Sequence, residues 1–222
     1  MMNGKHLAFF NPCLFIVFIC FLSFQLQAQE DYPKALKMER EYRINAKIVP
    51  ELAYATLDTL FGKGMHKKAK WYREEELNAW NFEAKLKYDD NYYSVEFDSL
   101  GTVIDIEVKL DWDDIALKRR TAMQKQLKEK FGRYSIEKIQ EQWIGDIPFL
   151  KYRVLSFDDY DEEDDDPNDD DIRYKDYQHN YELIIIAKEN NVHHSFEVIL
   201  SAKGDILKIS KIIEDNIDHL TY

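Results

Sequence analysis

The chain has 222 residues and a formal net charge of −12, from 30 lysines and arginines against 42 aspartates and glutamates. That length admits one sizeable domain or two small ones. An acidic chain with no basic stripe is a poor match for nucleic acid or anionic membranes, so those partners are excluded.

Residues 1–28 read as a leader. Lys5 and His6 give a modest positive start, and Leu7 to Phe24 is almost continuously apolar. Gln25-Leu26-Gln27-Ala28 ends the run, and cleavage after the small Ala28 fits a secretory signal peptide. An uncleaved anchor is the alternative, because the run could just span a bilayer. Pro12 and the polar exit favour cleavage, which gives a periplasmic or secreted address with no membrane insertion afterwards. Both cysteines, Cys13 and Cys20, lie in this segment. Bulky Val17-Phe18-Ile19 before Cys20 does not suit lipid attachment. The mature chain then has no thiol, hence no disulfide and no cysteine metal site.

Residues 29–47 are taken as an N-terminal extension. From there the chain repeats itself, with 48–111 as a first unit and 112–222 as a second. Pro50–Phe61, followed by Gly62, puts Ala53, Leu57, Leu60 and Phe61 on one helical face. Arg120–Phe131, followed by Gly132, does the same with Met123, Leu127 and Phe131. Pro50 fits the first turn of its helix, and each Gly fits the left-handed position just past a helix end. A short polar strand follows each helix, Lys67–Arg73 and Ile136–Trp143.

Period-two alternation then predicts hairpin strands. Phe82, Ala84, Leu86, Val95, Phe97, Ile104, Ile106 and Val108 should face a core in the first unit. Tyr181, Leu183, Ile185, Phe196, Val198, Leu200, Leu207 and Ile209 should do so in the second. Asp89-Asp90-Asn91 and the steps at Gly101 and Gly204 supply turns. The predicted fold class is α+β, two tandem helix-plus-antiparallel-sheet repeats. In the second unit Ile147–Phe157 is expected to be an extra strand. It leads into the acidic run Asp158–Asp171, which like-charge repulsion should keep solvated.

The tracts Phe82–Lys85, Tyr93–Asp98, Gly101 and Asp105–Val108, with Ile136–Trp143, resemble the exported PepSY-like proteins. Those are grouped with β-lactamase-inhibitor proteins, and the resemblance runs from about Ile48 to Ile213. It implies a tandem α+β fold and association with restraint of envelope peptidases, with relatives binding enzymes through loops and a concave sheet. It transfers no inhibitory residue. The inhibitor relatives are often disulfide-stapled, which this chain is not.

The residues offer no recognisable catalytic set. There is no phosphate loop, no Gly-x-Ser-x-Gly and no His-Glu-x-x-His. His193 and His194 are adjacent on a strand and point to opposite faces, so they do not readily share a metal. Glu74-Glu75-Glu76 reads as a solvated hairpin tip, and Asp113 or Asp114 as a helix N-cap. The acidic run lacks the glycine of an EF-hand loop, leaving Asp164, Asp165, Asp166, Asp169, Asp170 and Asp171 as a weak divalent-ion loop. No cofactor is expected. The best interface candidates are Trp71, Trp80, Tyr92, Tyr93, Trp112 and Trp143, since aromatics anchor protein interfaces when exposed together. The reading is a non-enzymatic, inhibitor-like binding module with an unidentified protein partner. A structural or ion-attracting envelope protein is the alternative, ahead of a small-ligand carrier or an enzyme.

Overall fold

The computed structural model describes residues 35–38, 40–75, 79–157 and 177–213. The leader over 1–28 and the run Asp158–Asp171, with its six ion-loop aspartates, lie outside the described residues. Strands β1 (Ala35–Lys37) and β2 (Arg40–Arg43) come first, followed by helix α1 (Glu51–Phe61). Next are β3 (Lys70–Glu75), β4 (Trp80–Tyr88), β5 (Asn91–Phe97) and β6 (Val103–Lys109). Helix α2 (Leu117–Phe131), β7 (Tyr134–Ile144) and helix α3 (Ile147–Ser156) lead to β8 (Gln178–Glu189), β9 (Val192–Ser201) and β10 (Ile206–Ile212).

These strands form one sheet in the order β1-β10-β9-β8-β7-β6-β5-β4-β3-β2. Two tandem helix-plus-sheet repeats are therefore not what the chain builds. β6 pairs with β7 through Ile106–Trp143 to Lys109–Gln140, so the ladder runs unbroken across the expected boundary at residue 111. Among the described residues the result is a single, mostly β, ten-stranded mixed sheet carrying three α-helices. β1 on β10 is the parallel pair, and the other pairings are antiparallel.

The alternation fixes which face the helices cover. Trp71, Ala84, Val95, Ile106 and Trp143 are register partners across β3 to β7 and form one apolar row. Helices α1 and α3 pack on this side, placing Leu57, Leu60, Phe149, Leu150 and Val154 in the same cluster. α2 covers the same face further along, where Arg119 donates to the Tyr181 hydroxyl at 3.1 Å and Phe131 lies 5.3 Å from Phe196. Ile104 and Leu207, expected in the core, are exposed. A bulge between Ile206 and Lys208 turns Ile206 inward in place of Leu207.

Three local expectations also change. Ile147–Phe157 is mostly helix, because Asp146 accepts from the Phe149 amide at 2.9 Å and Pro148 sits in the first turn. Its apolar residues then fall at helical spacing. The N-cap expected at Asp113 or Asp114 belongs to Asp111, which caps a 3-10 turn over 112–114 with Asp114 reciprocating. Glu74 is not at a solvated tip but buried within β3.

The sheet also curls. Between Lys37 and Arg40 the chain steps from the β10 edge to the β3 edge, and three residues span at most about 11 Å. A flat sheet of this width would hold its edges about 40 Å apart. β1 and β2 therefore bridge the two edges, and the sheet wraps towards closure.

Candidate functional site

The second face of the sheet is polar, and it is the concave one. Its rows follow from register. Tyr72, Glu83, Glu96 and Asp105 are neighbours across β3 to β6. Beside them run Lys70, Lys85, Ser94, Glu107, Gln142 and Asn180. Asp105 on β6 interacts electrostatically with Lys37 on β1, five places away in strand order. A flat sheet would separate those strands by about 24 Å. Only inward curling brings them together.

This interior holds closely spaced carboxylates. Glu74, Glu83, Asp105, Glu107, Glu182 and Glu197 are all buried, and Glu96 is half-buried. Partners satisfy some of them. The Ser94 hydroxyl donates to Glu83, Gln142 donates to Asp105 at 2.8 Å, and Lys37 pairs with Glu197. Burial, then Asp105, holds the Glu96 carboxyl far above the usual range. Burial raises Asp105 to about 7 against the hydrogen bond from Gln142. Burial followed by the carboxylates of Glu182 and Asp105 keeps Glu107 well above its ordinary value. The physical cause is common to all three: like charges in one water-poor space resist ionising together. Among the described residues, no group of three histidines, cysteines, aspartates or glutamates is placed to hold a metal ion.

At one end of the strands the interior opens, and its charge reverses. A depression of about 400 Å³ is lined by Lys68, Lys70, Lys85, Lys87, Lys109 and Lys138, with Tyr92, Glu83, Ser94 and Gln140 among the remaining walls. Lys85 is held by Glu41 and by Glu83 at 3.2 Å, and Lys87 by Asp90 at 2.7 Å. Lys68, Lys70, Lys109 and Lys138 are exposed. The sequence reads as having no basic stripe because these lysines come from separated segments. Same-face parity was visible in Asp105, Glu107 and Lys109. The register that gathers the six was not.

The aromatic candidates scatter. Trp71, Tyr93 and Trp143 share the apolar face and are buried in the core. Trp80 is half-buried with the Arg73 guanidinium 4.5 Å from its ring. Trp112 is half-buried in the 3-10 turn after β6. Tyr92, 62% exposed, stands at the lysine-lined mouth, which buried Tyr93 also borders. His193 and His194 lie opposite Lys188 and Ala187 on successive, oppositely facing positions.

A second polar cluster lies on the helix side, and sequence reasoning missed it. Glu141 accepts from Arg153 of α3 at 2.5 Å and from the Trp143 indole at 2.6 Å, with His179 at 2.9 Å. Burial would raise this carboxyl, but His179 and Arg153 outweigh it and bring it down to about 2. Arg153 also sits 5.0 Å from the Trp143 ring. The arrangement fastens α3 to β7, and among the described residues no nucleophile is recorded in contact with it.

The chain matches no protein-family model and no curated protein. Among solved structures it is similar to a DUF2874 family protein from Bacteroides ovatus, at 12% identity and a TM-score of 0.45 over 78% of this chain and 94% of that one. It is also similar to a DUF2874 family protein from Bacteroides uniformis, at 9% identity and 0.42 over 73% and 89%. A third likeness is to a BLIP-like protein from Bacteroides fragilis, at 12% identity and 0.42 over 76% and 90%. At this distance the likeness is one of outline, and no activity comes with it.

Proposed function

We propose that this is an exported binding module that recognises another protein through the lysine-lined mouth of its curled sheet. The observation that carries the reading is the mouth's charge. Among the described residues the ammonium groups of Lys68, Lys70 and Lys109 have no side-chain hydrogen bond or ion pair, and Lys138 is opposed by Glu107 through space alone, on a chain of net charge −12. Exposed like charges held together repel, and a rigid sheet that gathers them is suited to meeting an opposite charge. Export rests on the leader pattern over 1–28. Restraint of an envelope enzyme is the form of the reading that the PepSY-like, inhibitor-like resemblance implies. The depression is also of a size that small-molecule sites have, which supports a carrier of small anions as the second reading.

Crosslinked capture from native cell envelope, with protein beginning at Gln29, tests the module. It is run beside K109E/K138E and beside K125E/K128E, whose lysines are exposed on α2. A stoichiometric protein partner lost with the first pair and retained with the second is the expected result. A partner retained by both variants would remove the mouth from the reading. No protein partner, with a small anion co-purifying, would establish the carrier.

A further inference from the structure

We propose that the mouth takes an acidic segment of the partner protein, an extended stretch whose carboxylates each meet a separate lysine. This rests on the binding-module reading above and names the chemistry of its partner.

The first argument is the spread of the charges. Lys70 is on β3, Lys85 and Lys87 on β4, Lys109 on β6 and Lys138 on β7. Four strand spacings separate Lys70 from Lys138, about 19 Å followed along the curled sheet and less straight across it. One phosphoryl group or a short dicarboxylate would reach one or two of these lysines and leave the rest repelling each other. A strand-like segment of about six residues covers the same distance at about 3.3 Å per residue. The lining lysines are also point charges, with no arginine fork among them to grip one planar anion from two sides.

The second argument is the depth. Glu83 stands in the wall, and Glu96, Asp105 and Glu107 lie further in. An anion that entered would meet carboxylates, so the favourable position is across the mouth. Extended chain suits that position better than a compact ligand.

The third argument is an unmatched amide. Gln140 lines the depression, is 4% exposed, and its Oε1 has no hydrogen-bond partner. Oxygen and nitrogen of such an amide exchange by a flip, so Gln140 can turn its NH₂ towards an acceptor lying across the mouth. Tyr92 beside it offers a hydroxyl and an exposed ring face, with Lys87 at 5.8 Å.

The test uses the mature chain from Gln29 and a synthetic peptide of about eight residues alternating Glu and Ser, followed by calorimetry and by amide shifts. Arms with the matching Gln–Ser peptide, inorganic phosphate and a sulfated polysaccharide run in parallel, each at low and at physiological ionic strength. The Glu peptide alone should bind, more weakly as salt rises, and shift the amides of Lys70, Lys109, Lys138 and Gln140. K70Q/K109Q/K138Q should lose roughly tenfold or more in affinity, since each exposed ion pair contributes a few-fold. Its circular dichroism and melting should match wild type, the three lysines being exposed. Unchanged binding by that variant, shifts elsewhere, or tighter binding of phosphate or polysaccharide would each overturn the proposal. Should the peptide fail while K109E/K138E still loses the captured protein, the module stands and the acidic-segment assignment falls. Should both variants keep the captured protein, the mouth itself is wrong.

Discussion

Asp105 illustrates how one residue links the interior to pH. Its Oδ2 accepts from Gln142, its Oδ1 has no partner, and Glu96, Glu107, Glu182 and Glu74 surround it, with Lys37 as the facing cation. Its folded pKa of about 7 lies above the ordinary 3.8. The folded state thus binds the proton more tightly than the unfolded chain. The associated stability is fully present below about pH 4 and is lost as pH rises to about 7. Asp105→Asn keeps the size and removes the titration. At pH 8 the variant should be more stable than wild type, with little difference at pH 4. Urea unfolding at the two pH values checks this. A variant equal to wild type at both would mean that Asp105 ionises freely.

Glu141 has the opposite sign. Its folded pKa of about 2 lies below the ordinary 4.5, so its contribution is present above about pH 4.5 and disappears as pH falls towards 2. The two windows do not overlap above pH 4.5, and a stability profile of wild type beside Asp105→Asn separates them.

At the scale of elements, the Arg153–Glu141 ion pair adds to the apolar packing of Phe149, Leu150 and Val154 in fixing α3 on the sheet. Arg153→Met leaves Glu141 buried beside His179 without its guanidinium, which should cost about 3–5 kcal/mol. The double variant Arg153→Met/Glu141→Gln should recover much of that loss, and urea unfolding of the set measures the coupling. α1 is located differently. Gly101 has φ +87°, and a Cβ there would stand 2.9 Å from the Ala53 nitrogen and from the Pro50 Cβ. Gly101→Ala should therefore destabilise by about 2 kcal/mol or more, with a lowered melting temperature as the readout. Gly204 stands against Ala122 and Met123 of α2 in the same manner.

Helix ends at Gly62 and Gly132, hairpin turns and most inward residues were legible because each is local. Asp89 and Asp90, with φ of 46° and 62°, make the two-residue turn their sequence announces. α3 was not legible as a helix from Ile147–Phe157, since a short apolar run satisfies strand and helix alike until the cap at Asp146 is weighed. The site was legible only in parity. Lys70, Lys109 and Lys138 meet through strand order, and strand order is a property of pairing between distant segments. The aromatic residues misled for a related reason. Trp71 and Trp143 do share a face, but it is the face that α1 and α3 cover.

For the molecule as a whole, the edge-bridging strands decide whether the polar interior is enclosed. A chain beginning at Ile44 lacks Lys37, which pairs with buried Glu197, and both β1 and β2. Hydrogen exchange at β3 and β10 should quicken in that chain while β5 and β6, central in the sheet, stay protected. Equal protection of β3 and β10 in both chains would show that the bridge carries no load.

That bridge also sets an order of events. Ala35 pairs with Ser210, so a strand early in this sequence waits for one near the far end of the described residues. The loop it closes is nearly the length of the described chain, and such non-local pairing is slow to form. Until β10 exists, the sheet cannot wrap and its carboxylates stay in water, ionised and mutually repelling. Wrapping becomes a final, whole-chain step that no amino-terminal fragment can take early.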